Sequence, residues 1–163
     1  MRNKIMFSAL VIFALVLSAC ASNTQQSLQG TGSPAIPNTG LGTGTPGAPA
    51  VVNVSQNTPL GSFLVDSHGM TLYLFTKDTP NTSNCYDSCA AAWPPLLTDG
   101  APTPGSGVDA SLLGTTARTD GATQVTYNGW PLYYFANDKA AGDTTGEGVQ
   151  NVWYVVTPEG MQK

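Results

Sequence analysis

Charge is scarce in this chain. Only 10% of its 163 residues are Asp, Glu, Lys or Arg, and none of these lies between Lys4 and Asp66. Six basic residues in all leave no stripe that could displace counterions from a nucleic acid, which excludes that class of partner. The single histidine, His68, cannot form a two-histidine metal pair, and no Ser-His-Asp set can be assembled around it. No glycine-rich loop is followed by the Lys and helix that cradle a phosphate. Cysteine occurs three times, at Cys20, Cys85 and Cys89, and never as Cys-x-x-Cys-His, so covalent haem is excluded. What the chain lacks therefore argues against an enzyme.

The first twenty residues are different in kind. Arg2 and Lys4 precede an apolar run from Ile5 to Leu17, and Leu17-Ser-Ala-Cys20 closes it. A charged start, a short apolar stretch and small residues describe a secretory signal over residues 1–19, too short for a spanning helix. The ending resembles the bacterial lipobox, which implies that Cys20 receives a diacylglycerol and becomes the mature N-terminus. Acyl chains contribute about 0.8 kcal/mol per buried CH₂, so the lipid would hold the chain on a membrane. Ala21 resembles the residue that follows the cysteine in outer-membrane lipoproteins, where the cell has two membranes.

Residues 20–58 are mostly Gly, Ser, Thr, Pro, Asn, Gln and Ala, as in GTGSPAIPNTGLGTGTPGAPA. Such a segment buries too little apolar surface to offset its ordering entropy, so a disordered tether is expected. Its root-mean-square reach would be roughly 35 Å. Residues 59–163 are one domain's worth of chain. They hold all ten acidic residues against four basic ones, a net charge of −6 for the exported part. A surface of that sign should not lie flat on anionic lipid.

Within this domain a phrase is written twice. Tyr73-Leu-Phe75-Thr-Lys-Asp78 and Tyr133-Tyr-Phe135-Ala-Asn-Asp138 share Tyr-x-Phe-x-x-Asp and start 60 residues apart. At the same offset Val65 meets Val125, Gly69 meets Gly129, Leu72 meets Leu132, and Trp93 meets Trp153. A duplication of this kind predicts two units that complete one core, since neither buries its apolar face alone. Asn128-Gly129 between runs of Val, Thr, Tyr and Trp predicts a hairpin, with His68-Gly69 as its weaker counterpart. Asp120-Gly121 predicts a further strand near Thr115–Thr119 paired with Thr123–Tyr127, and Asn151–Thr157 should close the second unit. Asp87 or Ser88 should cap a short helix that Pro94-Pro95 stops. The expected fold is mainly β: two tandem β-hairpin-based repeats, about 60–98 and 120–158, in one compact antiparallel domain with one short helix.

Tyr73 and Phe75 point to one face of a strand, Leu72 and Leu74 to the other, and both faces are apolar, so the strand should be central. On the scaffold reading, Asp78 and Asp138 accept backbone N–H groups and shape the following loops. On the alternative, two Tyr-Asp pairs line a shared pocket. The doubled motif, the block Cys85-x-x-x-Cys89-Ala-x-x-Trp93-Pro-Pro95 and GDTTGEGVQNVW (142–153) together resemble the bacterial secreted-repeat lipoproteins, a family named for Y-x-[FWY]-x-x-D. The resemblance spans Leu60 to Pro158 and implies location and architecture, with no established activity. Tyr154 stands where many members would carry a His, which argues against a metal or haem at that position.

Three further constellations carry possible chemistry. Outside the cytoplasm Cys85 and Cys89 should oxidise, and a spacing of four brings Cα atoms to about 6 Å, within disulfide range. The alternatives are a redox-active pair or a copper(I) site completed by Met70 or His68. Asp138, Asp143 and Glu147 offer hard oxygens for calcium in a glycine-hinged loop, though not at EF-hand spacing; an acidic turn is the alternative. No resident cofactor is expected. The chain is expected to be a membrane-anchored, non-enzymatic module of the cell envelope. Its partner, a small molecule or an envelope protein, would sit between the repeats or on Trp130, Tyr134 and Tyr154. The second reading is a redox or soft-metal accessory built on Cys85 and Cys89.

Overall fold

The computed structural model describes residues 47–57 and 59–163. The signal segment, Cys20 and the tether up to residue 46 lie outside the described residues. Among those described, the chain is mainly β, with one short helix.

Strand β1, Val51–Asn57, pairs antiparallel with β2, Gly61–Asp66, and Val52 and Leu64 are fully buried. The tether therefore ends earlier than residue 58. Val51, Val52 and Val54 have the β-branched side chains that fit a pleated, half-buried surface, and β2 supplies the partner. After β2 come β3, Tyr73–Phe75, helix α1, Ser88–Ala92, and the two-residue β4, Thr103–Pro104, which runs parallel to β1. The second repeat begins with β5, Leu113–Ala117, antiparallel to β6, Thr123–Tyr127, and β7, Trp130–Pro131, returns beside β6. Strand β5 starts two residues before the expected Thr115, so the turn around Asp120-Gly121 spans Arg118 to Ala122. A 3₁₀ turn, Val149–Asn151, precedes β8, Trp153–Val155.

The hairpin at Asn128-Gly129 forms as the sequence dictates. Tyr127 faces Trp130, and the two residues between them have φ of 49° and 79°. Both values are left-handed, as a two-residue turn matching the strand twist requires. Asp87 stands at the start of α1 but makes no side-chain cap, its backbone turned to φ 51°. Its carboxylate is therefore not the cap expected of it.

The last strand departs from expectation in a way that governs the whole fold. Asn151–Thr157 was expected to close the second unit, yet β8 pairs antiparallel with β3 of the first. Reciprocally, Pro95 and Leu97 of the first repeat bridge to Tyr133 and Gln124 of the second. Each repeat thus hands its final extended segment to the other. Tyr73 and Tyr133 bridge at the centre, giving the order 95–97, 132–134, 72–75, 153–156 across the middle of the domain.

This central layer separates two apolar clusters. One face carries Leu72, Leu74, Leu132, Tyr134 and Val156 together with Val52, Leu64, Leu96, Val125 and Tyr127. The other carries Tyr73, Phe75, Tyr133, Trp153 and Val155 with Phe63, Cys85 and Trp93. Alternation along β3 sends successive side chains into the two clusters, so both of its faces are apolar.

Candidate functional site

The doubled motif converges on the second cluster. Tyr73 donates its hydroxyl to Asp138 Oδ2 at 2.7 Å, and Tyr133 donates to Asp78 Oδ2 at 2.6 Å. Each tyrosine therefore serves the aspartate of the other repeat. The second oxygens are also used: Asp78 Oδ1 accepts the Asn84 amide, and Asp138 Oδ1 accepts the Thr145 amide and hydroxyl. Each carboxylate thus shapes its loop with one oxygen, as the scaffold reading expects, and takes the hydroxyl of a tyrosine with the other. The pairs are closed contacts between buried groups and do not form a pocket wall.

Burial sets their ionisation. Removal from water, then the hydrogen-bonded Asp138 carboxylate, hold the Tyr73 phenol well above its ordinary value. Tyr133 is raised for the same reasons by burial and Asp78. Asp78 is itself pushed up by burial, against opposing bonds from Tyr133 and Asn84 and the charge of Arg118.

Around the tyrosines the aromatic rings repeat the same two-fold relation. Trp93 and Trp153 stack with centroids 3.9 Å apart and planes 3° apart. Phe75 stacks outside Trp153 and Phe135 outside Trp93, each at 4.2 Å. Tyr73 meets Trp93 edge-on at 5.4 Å, and Tyr133 meets Trp153 at 5.2 Å. Aromatic pairs contribute about 0.5–1.5 kcal/mol each beyond their buried area, so this column is a principal fastening between the repeats. It also explains Gly146: a Cβ there would lie 2.9 Å from both Tyr73 and Trp93, while its amide reaches the Tyr73 hydroxyl at 3.3 Å.

One residue of this site was not singled out in the sequence. The Arg118 side chain is 1% exposed. It donates to Ser83 Oγ at 2.9 Å, Gln124 Oε1 at 2.8 Å, the Cys85 carbonyl at 3.0 Å and Asp120 at 3.0 Å. Its guanidinium also lies 4.4 Å from the centre of the Tyr86 ring. Ser83 in turn meets the Tyr133 hydroxyl at 2.8 Å, which connects Arg118 to Asp78 through two hydroxyls. The available signal was the rarity of charge: one of four basic residues in the domain stands inside a strand-and-turn pattern rich in Thr.

Cys85 and Cys89 form a disulfide with Cα atoms 5.2 Å apart. Cys85 lies in the second cluster, whereas Met70 packs against the first, and His68 stands on the β2–β3 turn with its side chain 71% exposed. The copper(I) set imagined from the sequence is not brought together. Nor is the calcium set. Asp138 is held by Tyr73 and Thr145, Asp143 by the Lys139 and Ala140 amides, and Glu147 by the Val155 amide at 2.7 Å. Among the described residues no three acidic, histidine or cysteine side chains converge as a metal site.

Of the aromatics expected to be exposed, Trp130 and Tyr154 are half-buried and Tyr134 is buried. It is 4% exposed, and its hydroxyl donates to Asp66 Oδ2 at 3.1 Å. The reason is strand parity: its neighbour Tyr133 faces the second cluster, so Tyr134 faces the first. Beside it opens a cavity of about 200 Å³ bordered by Ala50, Val51, Asp66, His68, Leu96 and Tyr134. Asp66 is the hub of its wall, also accepting the His68 and Met70 amides at 2.8 and 2.9 Å.

A family model described as a secreted repeat of unknown function matches residues 54–97 and again 114–157, together more than half of the 163 residues. Both matches begin six residues before the repeats expected from the motif, and so take in part of β1 and nearly all of β5. The secreted description and the Cys85–Cys89 disulfide agree on a compartment outside the cytoplasm. No curated protein and no solved structure matches the chain.

Proposed function

Because the chain belongs to this secreted-repeat family, we propose that it is a lipid-anchored, non-enzymatic binding module of the bacterial cell envelope. The observation that carries this reading is the crossed pairing of Tyr73 with Asp138 and Tyr133 with Asp78. It commits the motif's polar groups to one another, leaving them to build a rigid scaffold rather than to meet a substrate. Cys20 takes the lipid, and the uncharged stretch after it spaces the domain from the membrane. The cavity beside Asp66 and Tyr134 is the place for a small ligand, with an envelope protein as the other candidate partner.

Two measurements test this. Cells carrying wild-type chain or Cys20→Ser are separated into membrane and soluble fractions. The wild type should sediment with membranes at a mass increased by the lipid, and the variant should not. Equal distribution of the two would sink the anchor. Nuclear magnetic resonance of the exported domain against a small-molecule library should shift Asp66, His68 and Tyr134 first. Shifts confined to the motif residues would move the binding site to the scaffold.

A second reading, a redox or soft-metal accessory, draws on the half-buried Cys89, which leaves the disulfide within reach of a reductant. Native mass spectrometry before and after reduction separates the two. A metal held stoichiometrically by the reduced chain and lost on oxidation would favour the accessory.

A further inference from the structure

The duplication supplies an internal comparison for the cavity beside Asp66. At the 60-residue offset Thr126 takes the place of Asp66, Asn128 that of His68, and Leu74 that of Tyr134. The second hairpin turns on the left-handed pair Asn128-Gly129 and needs no carboxylate. In the first hairpin Asp66 Oδ1 shapes the turn by accepting the His68 and Met70 amides. The other oxygen, Oδ2, is not used by the turn. It accepts the Tyr134 hydroxyl at 3.1 Å, and His68 Nδ1 approaches it at 3.4 Å. Leu74 and Asn128 offer neither of these groups. The set of Asp66, His68 and Tyr134 thus occurs once in a fold that is built twice.

Asp66 is 5% exposed, and unlike Asp78 and Asp138 it borders a cavity. A positive charge stabilises a buried carboxylate. Among the described residues the one basic group in ion-pair range of Asp66 is His68, whose side chain is 71% exposed and can leave Oδ2 without disturbing the core. Ala50, Val51 and Leu96 give the same cavity an apolar wall. One carboxylate among aliphatic side chains suits an alkyl ammonium. Calcium would want about six or more oxygens, and an anion would meet the charge of Asp66. The net charge of −6 on the exported part favours a cation as well.

Building on the binding-module reading, we propose that this cavity takes a small primary amine in its protonated form. The ammonium donates to Asp66 Oδ2 and displaces His68 Nδ1, while the carbon chain lies against Ala50, Val51 and Leu96. Tyr134 keeps its bond to the same oxygen and holds the carboxylate in place.

The test is a titration of the exported chain bearing Cys20→Ser with n-butylamine, n-butanol and butyrate at neutral pH, followed by nuclear magnetic resonance. Butylamine is protonated there and should shift the His68 and Met70 amides, whereas the other two should not. Asp66→Asn keeps an oxygen for those amides and should weaken binding about ten-fold or more, the loss of one hydrogen bond to a charged group. Ala48→Trp places bulk at an exposed residue of the cavity wall, leaves every bond of Asp66 in place, and should weaken binding similarly. His68→Ala should bind at least as tightly as wild type. Loss of binding in His68→Ala would overturn the proposal, because the imidazole and not the carboxylate would then hold the ligand. Butanol or butyrate shifting the same amides as strongly would overturn the amine and leave a binding module with another ligand. Silence from all three would overturn the cavity as a site and leave the module its envelope-protein partner.

Discussion

The amide of Tyr73 donates to the Tyr133 carbonyl at 2.8 Å, and the amide of Tyr133 donates to the Tyr73 carbonyl at 2.9 Å. The first residues of the two motif copies are therefore each other's neighbours, on the axis that relates the repeats. Their side chains then diverge to opposite aspartates. A motif copied in sequence is in this way closed only between copies.

Tyr73→Phe and Tyr133→Phe should both destabilise the domain, and unequally. Without Tyr133, Asp78 keeps one close donor, the Asn84 amide, whereas without Tyr73, Asp138 keeps two from Thr145. A buried carboxylate short of a donor costs about 1–3 kcal/mol, so Tyr133→Phe should lose about 1 kcal/mol more. Urea unfolding of the two variants decides it, and the reverse order would show that the Thr145 donors do not hold Asp138 as these hydrogen bonds imply.

Alkali should unfold the domain steeply. Tyr73, Tyr133 and Tyr134 are held neutral, above their ordinary value of 10.0, first by burial and then by Asp138, Asp78 and Asp66. Above pH 10 the unfolded chain releases these protons and the folded chain keeps them, so stability falls as pH rises. The slope is about 1.4 kcal/mol per pH unit for each phenol that stays protonated. Circular dichroism and tyrosinate absorbance should change together. Ionisation of all six tyrosines before unfolding would refute the burial argument.

Arg118→Met should destabilise strongly. The change leaves Ser83, Gln124 and the Cys85 carbonyl without their shared donor and takes the positive charge from beside Asp78. Breaking a buried charged network typically costs about 3–5 kcal/mol. Arg118→Lys should not restore it, because one ammonium cannot reproduce the fork. A lysine variant as stable as wild type would show that charge alone matters.

Cys85→Ala/Cys89→Ala should cost less, about 2 kcal/mol, because the loop it closes is so short. The same loop is pinned by Arg118 at Cys85 and at Tyr86. Combining the cysteine and arginine changes should therefore cost more than their sum, as read by the denaturation midpoint. Simple additivity would show that the two fastenings act independently.

Much of the fold was legible because it rests on local chemistry. Asn128-Gly129 names its own turn, and the alternation of Leu72 to Phe75 names a strand buried on both faces. The exchange of end strands was not legible. Nothing local tells Trp153–Val155 to pair with β3 of the other repeat, and the contacts that accompany the pairing, Trp153 stacked against Trp93 and Phe75, join residues far apart in the chain. Arg118 was missed for the same reason, since its partners Ser83 and Cys85 lie more than thirty residues away. Val51–Asn57 was hidden by composition, an uncharged strand at the end of an uncharged stretch.

The exchange of end strands has a consequence for export. Strand β3 waits for β8, which follows it in the chain only after β4 to β7, and the 95–97 segment waits for 132–134. Neither half can close its own layer while the other is still in transit. A chain threaded through a membrane from its N-terminus therefore meets no completed barrier to its passage, and locks only after Val155 has crossed.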